Sequence, residues 1–268
     1  VESGRMDVHL DVSTHDEMEI IADGFNKMVE RLNDYINQVY VARICQKDAE
    51  LNALKMQIQP HYLYNTLDVI RMTALEKNDE KTAELLECLA HQLRYVMGEH
   101  TDCIVLRDEL QALREYFVIM KVRYEGRIRL SIQVSDEDAQ LYIPKLLLQP
   151  VVENAIRHGL REKNGEGTVA IRVERKEDYL EIVVMDDGVG MEEDQVRIMQ
   201  ETLDNPEIGK VDANGRLSVG MKNVYDRIKL NCGKKYGFGI ESFQGVGTIV
   251  TYRLPIWEEP ENVESSDR

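Results

Sequence analysis

Residues 60–68 present an imidazole in a setting where it could act as a nucleophile. His61 directly follows Pro60, and Asn65 lies four residues further on, so both side chains share one face of a helix. Asp68 is seven residues from His61, near the same stripe. A neutral imidazole nitrogen is a competent nucleophile near neutral pH when a neighbour holds its tautomer. The pattern fits a reactive histidine, and it also fits an ordinary surface histidine.

Residues 153–159 gather polar side chains of a second kind. Glu153, Asn154 and His158 lie within about one helical turn of each other. The amide oxygen of Asn154 suits Mg²⁺, which takes few protein ligands and keeps phosphate and water for the rest. The Glu153 carboxylate could order a metal-bound water. A polar helix end capped by Gly159 would have the same composition.

A strand that runs into two aspartates and two glycines forms a third candidate site, at residues 184–191. Glycine lets a loop approach a flat ligand closely, as Gly188 and Gly190 would here. Asp186, at the strand end, could accept a hydrogen bond from the exocyclic amine of adenine. A plain Asp-Gly turn is the alternative.

A fourth segment, residues 215–223, places glycines ahead of a helix whose exposed amides could hold phosphate. Gly220 belongs to it, and Lys222 could assist. The sequence contains no GxxxxGK[ST] motif, so this is not a Walker loop. The polar stretch 192–214 has the size of a mobile lid over a nucleotide.

Composition limits the classes of partner. A formal net charge of −16 over 268 residues makes direct binding of nucleic acid or anionic membrane unfavourable, because phosphate contacts need clustered Lys and Arg. No apolar run approaches the ~20 residues that a membrane helix needs. The four cysteines form no CxxC pair, which predicts reduced thiols in a cytosolic setting; they are Cys45, Cys88, Cys103 and Cys232.

The elements that would position these residues begin with a long helix. Residues 16–58 contain no proline and one glycine, and their apolar residues follow steps of four and three before the phase slips, as in a coiled coil with a stutter. Such a rod implies a parallel dimer, unless it packs along its own domain. Two further helices, at 61–74 and 81–97, are joined by a turn at 76–80. Paired across a dimer they would form a four-helix bundle.

The pattern changes after a third helix at 106–124. Predicted strands lie at 128–134, 169–174, 179–185, 240–243 and 248–254, and predicted helices at 144–158 and 219–231. This mixture indicates an α+β sandwich with a mainly antiparallel sheet. The predicted fold class is thus a helical dimerisation region followed by an α/β-sandwich domain.

Four segments, taken in order, resemble the GHKL (Bergerat) ATPase fold shared by gyrase, heat-shock chaperones, mismatch-repair ATPases and histidine kinases. They are Glu153-Asn154, Asp186-Asp187-Gly188-Val189-Gly190, the glycines from Gly215 to Gly220, and Gly245-Val246-Gly247-Thr248. Upstream, Gln57-Ile58-Gln59-Pro60-His61-Tyr62-Leu63-Tyr64-Asn65 resembles the phospho-acceptor box of LytS/YesM-type sensor histidine kinases, as does the segment 143–155. Residues 16–28 resemble the second half of a HAMP signal-transmitting module.

The resemblance implies a domain order: 1–53 as the C-terminal half of HAMP and a signalling coiled coil, 54–125 as dimerisation and phosphotransfer helices, 126–257 as the ATPase domain, and 258–268 as a disordered acidic tail. It also implies roles for individual residues. The implied catalytic residues are His61, Asn65 and Glu153, with Asn154 as the Mg²⁺ ligand. The implied ATP-binding residues are Asn154, His158, Asp186, Gly188, Gly190, Gly220, Lys222 and Thr248.

Two positions depart from the commonest histidine kinases. Tyr62 stands where those carry an acidic residue after the phospho-accepting histidine, which leaves Asp68 and Glu153 as candidate general bases. Ser218 stands where many relatives have glycine.

The function that the resemblance implies is phosphoryl transfer from MgATP to His61 and onward to an aspartate of a response regulator. In the family this partner is commonly an AraC-type DNA-binding regulator, so DNA contact would belong to the partner. We expect a homodimer, forming the cytoplasmic portion of a bacterial membrane protein anchored through an N-terminal region omitted here. The alternatives are a catalytically degenerate ATP-binding scaffold and an ATP-driven clamp.

Overall fold

The computed structural model of the chain describes Met28 and residues 60–98, 102–204 and 219–259. Apart from Met28, the predicted HAMP half and coiled coil at 1–58 lie outside the described residues, as does most of the predicted tail. The chain divides between His61 and Tyr62 into two units. The elements below belong to the second unit, apart from the first two residues of the first helix.

A helical hairpin opens the described chain. Helix α1 spans Pro60–Glu76 and helix α2 spans Glu80–Met97. Asp79 caps α2 by accepting hydrogen bonds from the Thr82 amide at 3.1 Å and the Thr82 hydroxyl at 2.7 Å. The helices and the turn between them confirm the prediction.

The predicted apolar stripe of α2 is only partly covered within one chain. The helix buries Ala83, Cys88 and Gln92, whereas Leu89 and Val96 remain 44% and 50% exposed. Helix α1 likewise exposes large apolar side chains, at Val69, Ile70, Met72 and Leu75. The hairpin therefore keeps an uncovered apolar surface.

Helix α3, Leu106–Arg123, joins the hairpin to the rest of the fold. Its Ala112 carbonyl accepts a hydrogen bond from the buried Gln92 side chain of α2. Its Glu115 Oε1 lies 3.3 Å from His91 Nδ1 of α2. Its apolar face packs into the same core as the central sheet, through Leu106, Leu110, Leu113 and Phe117.

The central sheet has five strands: β2 (Ile128–Gln133), β4 (Gly167–Arg175), β5 (Leu180–Asp186), β6 (Gly237–Phe243) and β7 (Gly247–Leu254). Their order across the sheet is β2-β4-β5-β7-β6. Only the β2–β4 pair is parallel, and the other three pairs are antiparallel. This confirms the predicted mainly antiparallel sheet, with strands one to three residues longer at several ends.

A separate two-stranded sheet, which the sequence did not predict, pairs β1 (Cys103–Val105) with β3 (Tyr142–Pro144). A 3-10 turn, Asp138–Gln140, precedes β3. Trp257, the only tryptophan of the chain, is buried in the core, and its backbone carbonyl accepts a hydrogen bond from the Tyr142 amide of β3 at 2.8 Å.

The predicted helix at 144–158 is wrong in its first residues. Pro144 ends β3, residues 145–148 form a turn, and helix α4 spans Gln149–Asn154 before continuing as a π-helical turn, Ala155–Leu160. Leu146 has a φ of +58°, a left-handed conformation that costs a non-glycine residue about 1–3 kcal/mol. Tertiary hydrogen bonds to the turn offset this cost.

The predicted lid stretch at 192–214 also needs correction. Its first half is helix α5, Glu193–Asp204, which buries Met199, Thr202 and Leu203 against the domain. Residues 205–218 lie outside the described residues. Helix α6, Val219–Cys232, follows and matches the prediction at 219–231. Within the described chain, no helix is long and apolar enough to cross a membrane.

Candidate active site

The predicted nucleophile lies on the first turn of α1. His61 is exposed, and so is Asn65, one turn further along the helix. Asp68, a candidate general base, forms an ion pair with Arg71 at 2.8 Å. Because Asp68 pairs with Arg71, its carboxylate is engaged on the surface of α1 in this conformation.

Helix α4 and its π-helical turn carry the second group of predicted residues. Buried Val151, Val152 and Ile156 fasten one side of this segment to the core. The other side presents Glu153 and His158, both exposed, with Asn154 half-buried. A π-helical turn inside a helix is rare and is frequent at functional sites, because it shifts the side chains that follow it around the axis.

The Glu153 carboxylate lies near the Tyr116 ring of α3. Burial first, and the negative charge of Glu153 second, raise the pKa of Tyr116 to about 12. The Tyr116 hydroxyl is therefore neutral at physiological pH and can serve as a hydrogen-bond donor beside Glu153.

Asp186 ends β5 and turns its carboxylate inward. Its Oδ1 accepts the Gly188 amide at 2.9 Å, and the Thr248 amide on the neighbouring strand also donates to it. Burial raises the pKa of Asp186 to about 6, and these two hydrogen bonds limit the rise. The site thus holds a partly desolvated carboxylate that has spare acceptor capacity.

Asp187 has a different place in the structure. Its Oδ1 accepts the Thr168 amide at 2.9 Å and lies 3.7 Å from the Lys163 ammonium. Asp187 therefore fastens the start of β4. Of the two adjacent aspartates, Asp186 is the one that faces the glycines of the site.

Gly159, which the prediction treated as a possible helix cap, is a wall of the site. The helix continues beyond it, so the capping interpretation is wrong. A Cβ at Gly159 would lie 2.7 Å from Asp186 Oδ1, and a Cβ at Gly188 would lie 2.5 Å from the Gly159 backbone. The Val189 amide donates to the Gly159 carbonyl at 3.1 Å. The missing side chains let the π-helical turn and the loop after β5 touch.

The β6–β7 hairpin supports the same loop from the other side. Gly190 has a φ of +66°, and a Cβ there would lie 2.0 Å from the Phe243 carbonyl oxygen. The Gly245 amide donates to Val189 at 2.6 Å. Thr248, predicted to bind the ligand, has its hydroxyl 2.9 Å from the Ser242 hydroxyl, beside Asp186 in the register.

The structure places Lys222 and Gly220 in the first turn of α6. The Lys222 ammonium donates to the Leu203 carbonyl at 3.1 Å and pairs with Asp226 at 3.0 Å. Lys222 thereby links α6 to the end of α5. Gly215, the glycine that precedes Gly220 in this segment, lies outside the described residues.

The donor set fits a hard cation that arrives with phosphate. Among the described residues, no group of three or more His, Cys, Asp or Glu side chains could hold a metal ion alone. An Asn154 oxygen beside a Glu153 carboxylate suits Mg²⁺ when phosphate and water supply the remaining ligands.

Three family models match the chain in order. The HAMP domain model matches residues 1–34, the histidine kinase model matches 49–128, and the model for histidine kinase-, DNA gyrase B- and HSP90-like ATPases matches 143–258. These ranges together account for most of the sequence.

Curated relatives agree with the family models. The chain is 30% identical to the sensor histidine kinase YesM of Bacillus subtilis (strain 168) over 97% of this chain and 42% of that protein. It is 24% identical to the sensor protein kinase HptS of Staphylococcus aureus (strain bovine RF122 / ET3-1), over 91% of this chain and 46% of that protein. The chain thus spans less than half the length of these relatives.

A solved structure, the histidine kinase domain of the Erythrobacter litoralis EL346 blue-light activated histidine kinase, is 16% identical; the match covers 84% of this chain and 99% of that chain with a TM-score of 0.44.

The ordered family matches and the similarity to YesM along nearly the whole sequence confirm the resemblance drawn from the motifs. The chain belongs to the sensor histidine kinases, and within them to the YesM type.

Proposed function

We propose that the chain binds MgATP around Asp186, transfers the γ-phosphoryl group to His61, and passes that group to an aspartate of a response regulator. The observation that carries the proposal is the pairing, in one chain, of an exposed histidine on α1 with a partly buried carboxylate that glycine backbones approach closely. The first supplies an acceptor, and the second suits a flat purine.

Each residue of the site has a distinct part in this proposal. The free acceptor capacity of Asp186 would take the hydrogen bond of the adenine amine. The close contact of Gly159 with Gly188 would leave a flat slot for the ring. Asn154 would contribute an oxygen ligand to Mg²⁺, which neutralises charge on the phosphates, with Glu153 ordering a bound water. Catalysis would then consist mainly of positioning and charge stabilisation.

The acceptor assignment predicts that His61→Gln abolishes acid-labile phosphate on the chain. Gln cannot form a phosphoramidate, and His61 is exposed, so nucleotide affinity and folding should not change. The measurement is incorporation of label from γ-labelled ATP, with acid stability of the product. A matched control is His91→Gln, since His91 is also on the hairpin, where it pairs with Glu115.

Equal labelling of His61→Gln and the unsubstituted chain would reject the assignment. Nucleotide binding without any labelling would instead favour the alternative function, an ATP-binding dimeric scaffold.

The family also suggests partners. We propose a homodimer formed through the uncovered apolar surface of the hairpin, and a response regulator of the AraC type as phosphoryl acceptor. We propose that the chain works as the cytoplasmic portion of a membrane protein, which the HAMP match at residues 1–34 supports. Phosphotransfer from the labelled chain to a panel of purified regulators would identify the partner.

A further inference from the structure

A buried carboxylate lies outside the site described above. Glu109 of α3 is only 2% exposed, and its two oxygens accept three consecutive backbone amides, from Leu146, Leu147 and Leu148, each at 2.9 Å. Such a run of amides around an anion is a backbone nest. Burial raises the pKa of Glu109, and the hydrogen bonds of the nest oppose that rise.

The same carboxylate also receives a donor from the helical hairpin. The Tyr95 hydroxyl of α2 donates to Glu109 Oε2 and itself accepts the Leu146 amide at 3.3 Å. The Lys145 ammonium lies 5.2 Å from the centre of the Tyr95 ring. One hydroxyl on the hairpin thus touches both Glu109 and the 145–148 turn.

The rest of the 145–148 turn is fixed by other elements. The Lys145 carbonyl accepts a hydrogen bond from Arg227 of α6, and the Leu147 carbonyl accepts the buried Tyr252 hydroxyl of β7 at 3.0 Å. The Lys145 amide donates to the Asp102 carbonyl at 3.0 Å. The 145–148 turn is therefore held by α2, α3, α6 and β7, and it can move only together with one of these elements.

The position of the turn determines the position of the predicted Mg²⁺ ligand. Helix α4 begins at Gln149, directly after the turn, and Asn154 is the last of its six residues. Because a short helix moves as a rigid body, a displacement of the Leu148 end is transmitted to Glu153 and Asn154.

We propose that Glu109 is a positioning residue for the nucleotide site, and that its hydrogen bond from Tyr95 couples the orientation of the phospho-acceptor hairpin to the end of helix α4 that carries Glu153 and Asn154. This inference rests on the proposed function. It adds a physical connection between the helix pair that carries His61 and the segment that would hold the metal.

A role limited to stability would not require this arrangement. A buried charge is costly to desolvate, and an apolar pair of the same volume between α2 and α3 would serve packing at least as well. A charge that engages a hairpin hydroxyl and three amides of the site turn is suited to holding two elements in one geometry.

The test compares Tyr95→Phe and Glu109→Gln in the full chain. Tyr95→Phe removes only the hydroxyl and leaves the nest intact, so nucleotide affinity should stay within about twofold while the labelling rate at saturating ATP falls about tenfold. Glu109→Gln removes the charge and places an amide donor against the nest, so both affinity for ADP and the saturated rate should fall, each by about tenfold or more.

Two controls match these changes. Glu115→Gln removes a carboxylate from the same face of α3 that contacts α2, through His91, without touching the 145–148 turn. Tyr179→Phe removes the hydroxyl of a tyrosine whose ring lies under the Arg253 guanidinium, just before β5 and at the opposite end of that strand from Asp186. Both should match the unsubstituted chain in affinity and in rate.

The proposal is overturned if Tyr95→Phe keeps the full labelling rate at saturating ATP. It is also overturned if Glu109→Gln changes ADP affinity and labelling rate no more than Glu115→Gln does. If Glu109→Gln fails to fold, as judged by circular dichroism, the decision falls to Tyr95→Phe. ADP affinity is measured without catalysis. An unsubstituted chain that never labels His61 would therefore defeat the proposed function, while the affinity of Glu109→Gln would still decide whether Glu109 positions the site.

Discussion

Asp186 combines two requirements that oppose each other. In the proposed function, the surroundings of Asp186 must be dry enough to hold a purine, and burial raises the pKa of its carboxyl from the ordinary 3.8 to about 6. A protonated carboxyl is a weaker acceptor than a carboxylate, since hydrogen bonds to ionised groups are about twice as strong. The chemistry of this one residue should therefore show in the pH dependence of binding.

We expect affinity for adenosine to rise between pH 5 and 7 with a midpoint near 6, as Asp186 ionises. Adenosine is the chosen probe because it carries no phosphate that titrates in this range. Equilibrium binding in a series of buffers measures the effect. Asp186→Asn should remove the pH dependence, whereas Asp187→Asn should retain it. A pH-independent affinity in the unsubstituted chain would contradict the role given to Asp186.

The effect of the same residue on stability has the opposite sign. Its pKa is higher in the folded chain than in the unfolded chain, so its contribution to folding is fully present below about 3.8 and is lost as the pH rises through about 6. Without ligand, Asp186→Asn should flatten this part of the stability curve. Near neutral pH, ionised Asp186 therefore lowers the stability of the ligand-free protein, whereas in the proposed complex its carboxylate accepts a hydrogen bond from adenine.

Residue types and spacing predicted four residues that the fold brings together. Asp186, Gly188, Gly190 and Thr248 do lie together around one loop. Gly159 was missed as a wall, because its contact with Gly188 exists only when two segments far apart in sequence meet. Glu109 was missed because a lone glutamate within an amphipathic pattern gives no local sign that it will be buried.

At the level of elements, the central feature is the contact between the π-helical turn and the loop after β5. Two glycine backbones approach each other where any Cβ would collide with a backbone or with Asp186. Contact of this kind fixes the distance between Asn154 and Asp186, and therefore, in the proposed function, the separation of the Mg²⁺ and adenine ends of the site.

Gly159→Ala should weaken nucleotide binding by about tenfold or more, because its methyl group would lie 2.7 Å from Asp186 Oδ1 and displace either that carboxylate or the loop. Calorimetric titration with ADP measures the change. Gly239→Ala in β6 is the matched control, since a Cβ there meets nothing within 4 Å. Equal affinity in the two variants would show that the loop adapts without cost.

Elements with a strong period were predictable, and those defined by tertiary contacts were not. The alternation at 128–134 and the glycine-bounded hairpin before Thr248 gave strands close to those observed. The start of α4 was misplaced because its local sequence is compatible with helix, while the Glu109 nest holds residues 146–148 in a turn. Helix α5 went unseen because only a sparse set of apolar residues, including Met199 and Leu203, marks its buried face.

At the level of the whole molecule, the two helices of the hairpin differ from the ATPase domain in how far their apolar side chains are buried within one chain. The domain buries a continuous core around its sheet. The hairpin leaves Val69, Met72 and Leu89 among its exposed apolar side chains. A second copy of the same hairpin is the occupant expected from the family, and it would complete a four-helix bundle.

We expect sedimentation equilibrium to show a dimer of the chain, and Leu89→Glu to weaken it by at least about tenfold, because burying a leucine contributes roughly 1.5–3 kcal/mol. Leu230→Glu is the control: Leu230 is 83% exposed on α6, outside the hairpin. A monomer at micromolar concentration in the unsubstituted chain would contradict the four-helix bundle.

The single tryptophan gives the molecule a built-in optical reporter. Trp257 is buried at the end of the chain's last described segment, with its backbone joined to Tyr142 near β3. Its intrinsic emission should therefore follow melting of the ATPase domain and stay nearly silent to changes in the hairpin. Because the chain has no other tryptophan, the emission of Trp257 would report unfolding of the ATPase domain by itself, without an added dye.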